Sequence, residues 1–115
     1  MTNFVEIDAE NVEPEHGAPA EDRLISGEPK FRTWNLDEAP GGIYAGVWEA
    51  TPGKWRIEYD EWEFCHILAG VSVISEDGGG GARTVTAGDS FVLKPGFKGT
   101  WEVLETTRKE YVIRL

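Results

Sequence analysis

Glu63, Cys65 and His66 lie close together in mid-chain, with Tyr59 four positions before Glu63, and these residue types could support proton transfer, nucleophilic attack or metal ligation. No catalytic residue is assigned; Glu63 and Tyr59 are the best candidates, and Glu63 is a general base only if a ligand, rather than an Arg or a Tyr, satisfies its carboxylate. Cys65 beside His66 suggests a thiolate nucleophile. Consecutive strand residues face opposite sides, however, so the imidazole cannot readily take the thiol proton, and the Glu63 charge raises the thiol pKa rather than lowering it. An inert buried cysteine is the expectation. No Gly-x-Ser-x-Gly string and no paired His/Asp arrangement offers serine chemistry. His16 and His66 are the only histidines. A carboxylate and thiolate set drawn from Glu49, Asp60, Glu61, Glu63 or Cys65 would hold a transition metal only modestly, so no metal ligands are assigned.

These residues must be positioned by strands. Residues 54–59 alternate strictly, with Trp55, Ile57 and Tyr59 on one face and Lys54, Arg56 and Glu58 on the other, and helical periodicity is nowhere sustained. Similar runs at 31–35, 43–50, 62–68, 71–75, 83–86, 90–94, 100–105 and 109–115 make nine candidate strands, separated by glycine and proline turns. That spacing belongs to sandwiches, barrels and jelly rolls, so the fold class is all-β. Asp77 followed by Gly78, Gly79, Gly80 and Gly81 reads as a hairpin tip; a phosphate loop would need a following Lys-Ser/Thr and a helix. If Glu63 points inward, Cys65 and Ile67 share its face, while Trp62, Phe64, His66 and Leu68 point outward. Trp55, Ile57 and Tyr59 then line the same interior, joined by Trp101 and Val103. The candidate ligand-binding set is Trp55, Tyr59, Glu63, Cys65 and Trp101, an aromatic cavity with one carboxylate, suited to a small planar or apolar ligand with a polar handle. The competing reading is that Trp48, Trp55 and Trp101 simply fill the core. An inward Glu63 must be hydrogen-bonded, paired or protonated, by an Arg, a Tyr or a ligand. Arg108-Lys109 reads as a solvated or ion-paired edge, with an anion contact as the alternative.

Three strings resemble the two motifs of the cupin superfamily: Glu63-Phe64-Cys65-His66-Ile67-Leu68-Ala69-Gly70, Gly88-Asp89-Ser90-Phe91-Val92-Leu93-Lys94-Pro95-Gly96 and Gly99-Thr100-Trp101-Glu102-Val103. The likeness, over about residues 40–113, is to small single-domain cupins related to ureidoglycine aminohydrolase and the ethanolamine-utilisation cupin. It implies an RmlC-like jelly roll, a double-stranded β-helix with a ligand or metal site in the barrel mouth. It also implies a divalent transition metal held by two His, a Glu and a third His. Glu63 matches that Glu. The His-x-His positions fall on Ile57 and Tyr59, or on Arg56 and Glu58 with a gap one longer, and the third His falls on Gly99. One ligand of four is retained, so no cofactor is expected and a metal is the lesser alternative. The expected function is a small-molecule-binding cupin of unassigned substrate without the usual His-based metal site. The alternatives are a metal-dependent enzyme resembling ureidoglycine aminohydrolase and a non-catalytic dimeric interaction module. In the last, the outward Trp62, Phe64 and Leu68 would form a homodimer interface.

Charge bears on partners more than on the site. The 115 residues carry 21 Asp+Glu against 11 Lys+Arg, a net charge of −10, which disfavours nucleic acid and anionic membranes. Residues 1–30 hold eight acids against Arg23 and Lys30, and residues 31–115 are only mildly acidic. The segment 1–30 is expected to be an extended arm, partly disordered or packed on the barrel or on a partner subunit, and 31–115 the cupin domain. A length of 115 residues supports one core. No export signal, membrane helix or second cysteine is apparent, so a cytoplasmic location is the expectation.

Overall fold

The computed structural model describes residues 3–115; residues 1 and 2, the start of the expected arm, lie outside the described residues. All regular structure in it is β: β1 (Glu15–Gly17), β2 (Leu24–Gly27), β3 (Phe31–Ala39), β4 (Ile43–Ala50), β5 (Gly53–Glu58), β6 (Trp62–Glu76), β7 (Gly81–Thr86), β8 (Ser90–Leu93) and β9 (Lys98–Arg114). Alternation decides which face each strand buries. In β5, Trp55 and Ile57 are buried between the less buried Lys54, Arg56 and Glu58, and in β6 Glu63, Cys65 and Ile67 are buried between Phe64 and His66.

Two strands are longer than the sequence runs suggest. Residues 62–68 and 71–75 are one strand, β6, and 100–105 and 109–115 fall almost wholly in one strand, β9. The reason is that the chain bends without breaking its ladder: the β6–β9 register shifts between Ile67 and Ala69, between Ala69 and Val71, and again between Val71 and Ser72. Bulges of this kind let a strand turn sharply while staying paired. Gly70 sits at the bend with φ +92°, where a Cβ would come within 2.1 Å of the Thr106 carbonyl oxygen. Only glycine fits there.

The bend divides the hydrogen-bonded ladder into two layers that share β6 and β9. Beyond the bend, residues 107–114 of β9 pair with β4 on one side and with the start of β6 on the other, giving the order β1-β3-β4-β9-β6-β8. Before it, residues 98–103 of β9 pair with β5 and with the end of β6, giving β2-β5-β9-β6-β7. This curled double sheet is a jelly roll. Its apolar interior is built from Trp55, Ile57, Ile67, Ile74, Val85, Leu93, Trp101 and Val103, with Phe31, Trp48 and Phe91 packed against them.

The acidic segment contributes one short edge strand to each layer. β1 pairs with β3 and β2 with β5. Between them, Trp34 on the outer face of β3 donates its indole N–H to the Val12 carbonyl at 2.8 Å, and the Arg32 and Arg108 guanidinium groups lie 5.0 and 4.8 Å from the Trp34 ring centroid. Among the described residues no helix is long and apolar enough to cross a membrane.

Candidate functional site

The inward carboxylate of Glu63 is 3% exposed and fully partnered. Tyr59, one residue beyond β5, donates its phenol to Glu63 Oε1 at 2.5 Å. The Tyr59 backbone is itself pinned, its N–H on the Phe97 carbonyl at 2.8 Å and its carbonyl accepting from Gly96 N–H at 2.6 Å. The other carboxylate oxygen, Oε2, takes the Lys109 ammonium at 3.0 Å. Burying a carboxylate costs several kcal/mol unless such partners are present; a tyrosine is among the expected partners, and the lysine is not.

Lys109 therefore corrects the expectation of a solvated or ion-paired edge at Arg108-Lys109. Arg108 does lie at the surface, 3.9 Å from Glu49 Oε2. Lys109, next along β9, points the other way and is 4% exposed. Its ammonium stands 4.6 Å from the Trp48 ring centroid and 4.5 Å from that of Trp101, and donates to Cys65 Sγ at 3.6 Å. Desolvated cation–π contacts are worth about 2 kcal/mol each, which compensates part of the cost of burying the charge. Burial acts to lower the Lys109 pKa, and the nearby Cys65 and Glu63 outweigh it, so the amine is held above its ordinary value and stays protonated.

Trp101 is oriented from behind. Its Nε1–H donates to Ser72 Oγ at 3.1 Å, Ser72 Oγ shares a 2.6 Å hydrogen bond with Thr107 Oγ1, and all three residues are buried. Thr107 also donates to the Glu105 carbonyl at 2.9 Å. The chain of bonds runs across the β6–β9 ladder at the bend and sets the indole face toward Lys109.

Above this group opens a cavity of about 580 Å³, bordered by Trp48, Trp55, Tyr59, Glu63, Trp101 and Lys109. That volume suits a small organic ligand. Nearer the mouth, Tyr111 donates its phenol to Asn35 Oδ1 at 3.0 Å, and Glu15 and Glu38 add carboxylates. Burial pushes the Tyr59 phenol well above its ordinary value, with Glu63 adding to the effect, and burial chiefly carries Tyr111 to about 12. At neutral pH the Tyr59 and Tyr111 phenols are thus protonated, and Lys109 is an ammonium. A role for Glu63 as a base requires displacing Tyr59 or Lys109.

Of the sequence-derived candidates, Trp55, Tyr59, Glu63 and Trp101 border the cavity. Cys65 does not: it has no exposed surface and lies beneath Lys109. Its thiol is pushed up to about 12, mainly by burial, which leaves it an unreactive packing residue at neutral pH. His66 points outward and shares a 2.7 Å hydrogen bond with Ser90. Lys109, Asn35, Ser72 and Thr107 were not anticipated. The clue was parity, since Lys109, Tyr111 and Ile113 alternate with Arg108, Glu110 and Val112 and so share the face of Tyr111.

The residues present do not fit a cupin metal. The resemblance places ligands at Ile57, Tyr59, Glu63 and Gly99, or with the longer gap at Arg56 and Glu58, which lie on the other face of β5 and bond Asp77 and Arg23. Ile57 has no donor atom, Tyr59 is spent on Glu63, and a Cβ on Gly99 would meet the Ser75 carbonyl oxygen at 1.8 Å, so no imidazole can be housed there. Among the described residues no three His, Cys, Asp or Glu side chains gather as a set able to hold a metal ion.

The family model of the EutQ-like cupin domain matches residues 38–111. No curated protein matches the sequence significantly. Among solved structures, a DUF861-family protein of unknown function from Pseudomonas syringae superposes with a TM-score of 0.82 at 26% identity, covering 93% of this chain and 46% of that one. The chain therefore spans about half the length of that relative. The EutQ protein of Clostridium difficile aligns with a TM-score of 0.66 at 20% identity, covering 85% of this chain and 73% of that one. A predicted oxalate decarboxylase from Thermotoga maritima aligns with a TM-score of 0.70 at 18% identity, covering 96% and 98%.

Proposed function

The chain belongs to the EutQ-like cupin family, and from that premise we propose that it binds a small organic molecule inside the barrel, over Tyr59, Glu63 and Lys109. One observation carries this reading: the cavity of about 580 Å³ has aromatic walls and ends on a buried, fully hydrogen-bonded carboxylate. Stacking on Trp48 and Tyr59 would supply affinity, and the Tyr59, Tyr111 and Lys109 donors would fix orientation. Glu15 and Glu38 at the mouth, with Lys109 already neutralised by Glu63, favour a neutral or cationic ligand over an anion. The ammonia-releasing activity of ureidoglycine aminohydrolase is not carried over, since its imidazole positions are Ile57, Tyr59 and Gly99 in this chain.

Titration of a metabolite panel, followed by tryptophan fluorescence and thermal shift, tests the reading. At least one neutral or cationic compound should quench the fluorescence and raise Tm, with affinity weakened about two- to tenfold in Trp48→Ala, where a stacking face worth about 0.5–1.5 kcal/mol is lost. Binding indifferent to that substitution would count against the cavity.

A second copy of the chain is the proposed partner of the outer face. Phe64 is flanked by Val92 of β8 and Val112 of β9, with the half-exposed Trp62 and Leu68 at either end of the row. Light scattering at low micromolar concentration should give a dimer mass; a monomer mass, or a dimer that survives Phe64→Glu, would remove this interface.

A further inference from the structure

Both oxygens of Glu63 are taken, Oε1 by the Tyr59 phenol and Oε2 by the Lys109 ammonium. Around that ammonium converge a carboxylate at 3.0 Å, a thiol sulfur at 3.6 Å and two indole faces at 4.5 and 4.6 Å. These are the groups that would draw an external cation into the barrel, and they are already arranged around an internal one. The ammonium stem is fixed by the β9 ladder, where Lys109 pairs with Trp48 of β4 and with Ile67 of β6. The two other positions at which the resemblance would put imidazoles beside it, Ile57 and Gly99, face each other across β5 and β9 and offer no donor side chain.

We propose that Lys109 is a tethered cation that takes the place of the metal ion in this cupin site. The positive charge is then carried by the chain itself, present whatever the supply of metal and balanced by Glu63, and it offers a ligand oxygen an N–H donor in a setting of low polarity. An ammonium keeps its charge here because the carboxylate and the two ring faces replace the water it has lost. It also explains why one acidic position of the family motif is retained without its histidines: Glu63 serves as the counter-ion of Lys109.

The inference concerns the same cavity as the proposed ligand site, and the two can fail separately. In wild-type protein purified without chelator, elemental analysis should find only substoichiometric Mn, Fe, Ni, Cu or Zn, and neither EDTA nor added Mn²⁺ or Zn²⁺ should move Tm. Stoichiometric metal, or a chelator-sensitive Tm, would overturn the tethered cation while leaving the ligand titration to stand or fall independently. Lys109→Ala removes the stem beyond Cβ and leaves room for n-propylammonium. Its Tm should fall, and should be restored in a concentration-dependent way by n-propylammonium but not by the neutral n-propanol, as expected when a ligand binds the folded chain alone. Equal rescue by the alcohol would show that Lys109 only fills space. If Lys109→Ala does not fold, the double variant Lys109→Met, Glu63→Gln, which removes both charges with little change of shape, should fold; failure of the wild-type metal test overturns the proposal in either case.

Discussion

The Trp101 indole and the Ser72 hydroxyl, 29 residues apart in sequence, are joined by a 3.1 Å hydrogen bond across the β6–β9 ladder, and this bond sets the ring face that Lys109 sees at 4.5 Å. Ser72→Ala leaves the buried Trp101 N–H without its acceptor, while the Thr107 hydroxyl keeps the Glu105 carbonyl. A buried group so orphaned costs about 1–3 kcal/mol, so chemical denaturation should show a loss of that size. Trp101→Phe, which removes the donor together with its need, should suppress part of the further effect of Ser72→Ala in a double-mutant cycle; full additivity would show that the bond carries no energy.

Glu63→Gln strips the counter-charge from a buried ammonium. Breaking a buried ion pair on one side costs about 3–5 kcal/mol, against a much smaller loss when both partners are replaced by neutral isosteres. The single variant should therefore be markedly less stable than Lys109→Met, Glu63→Gln in urea titrations. The reverse order would mean that Lys109 is not confined by its partner.

Alkaline pH should unfold the protein more readily than its surface charge alone would suggest. Burial lifts Cys65 from an ordinary 9.0 and Tyr111 from 10.0, each to about 12, and Tyr59 and Lys109 are also raised. The unfolded chain gives up these protons first. Stability from these groups is thus complete below about pH 9 and declines as pH climbs toward 12. A Tm profile over that window is the measurement, and Cys65 should resist alkylation at pH 8 until denaturant is added. A flat profile combined with fast native alkylation would contradict the burial of this group.

Gly70→Ala tests the bend. The substitution combines a left-handed backbone with a Cβ 2.1 Å from the Thr106 carbonyl oxygen. The backbone conformation alone costs about 1–2 kcal/mol and the overlap adds to it, so Tm should drop by about 10 °C or more. Gly78→Ala, at a hairpin tip with φ +81° where an added Cβ meets nothing within 4 Å, carries the backbone cost without the overlap and should show a smaller drop.

The inner face of β6 was legible because strand alternation is strict: once Glu63 is placed inside, Cys65 and Ile67 follow, and Phe64 and His66 are sent out. The cupin-like motif strings led to the jelly roll by the same pattern. What escaped was the bend, since a Gly inside a run of alternation looks like a turn between two strands, and here it is a bulge within one. Lys109 escaped for a different reason. Charge argues for solvent, and only its parity with Tyr111 and Ile113 argues for the interior, where an inward carboxylate some 46 positions earlier needs a counter-ion. Long-range pairing of that kind is decided by register, which a single sequence does not reveal.

Because β9 is the shared neighbour of β4, β5 and β6, neither layer can close before residues 98–114 are available. Before β9 the chain can pair locally in hairpins such as β3–β4 and β6–β7, whose inner faces β9 must join before they are covered. Closure of the barrel is therefore expected to be a late, non-local step of folding, made when the seventeen-residue β9 takes its place beside β4, β5 and β6.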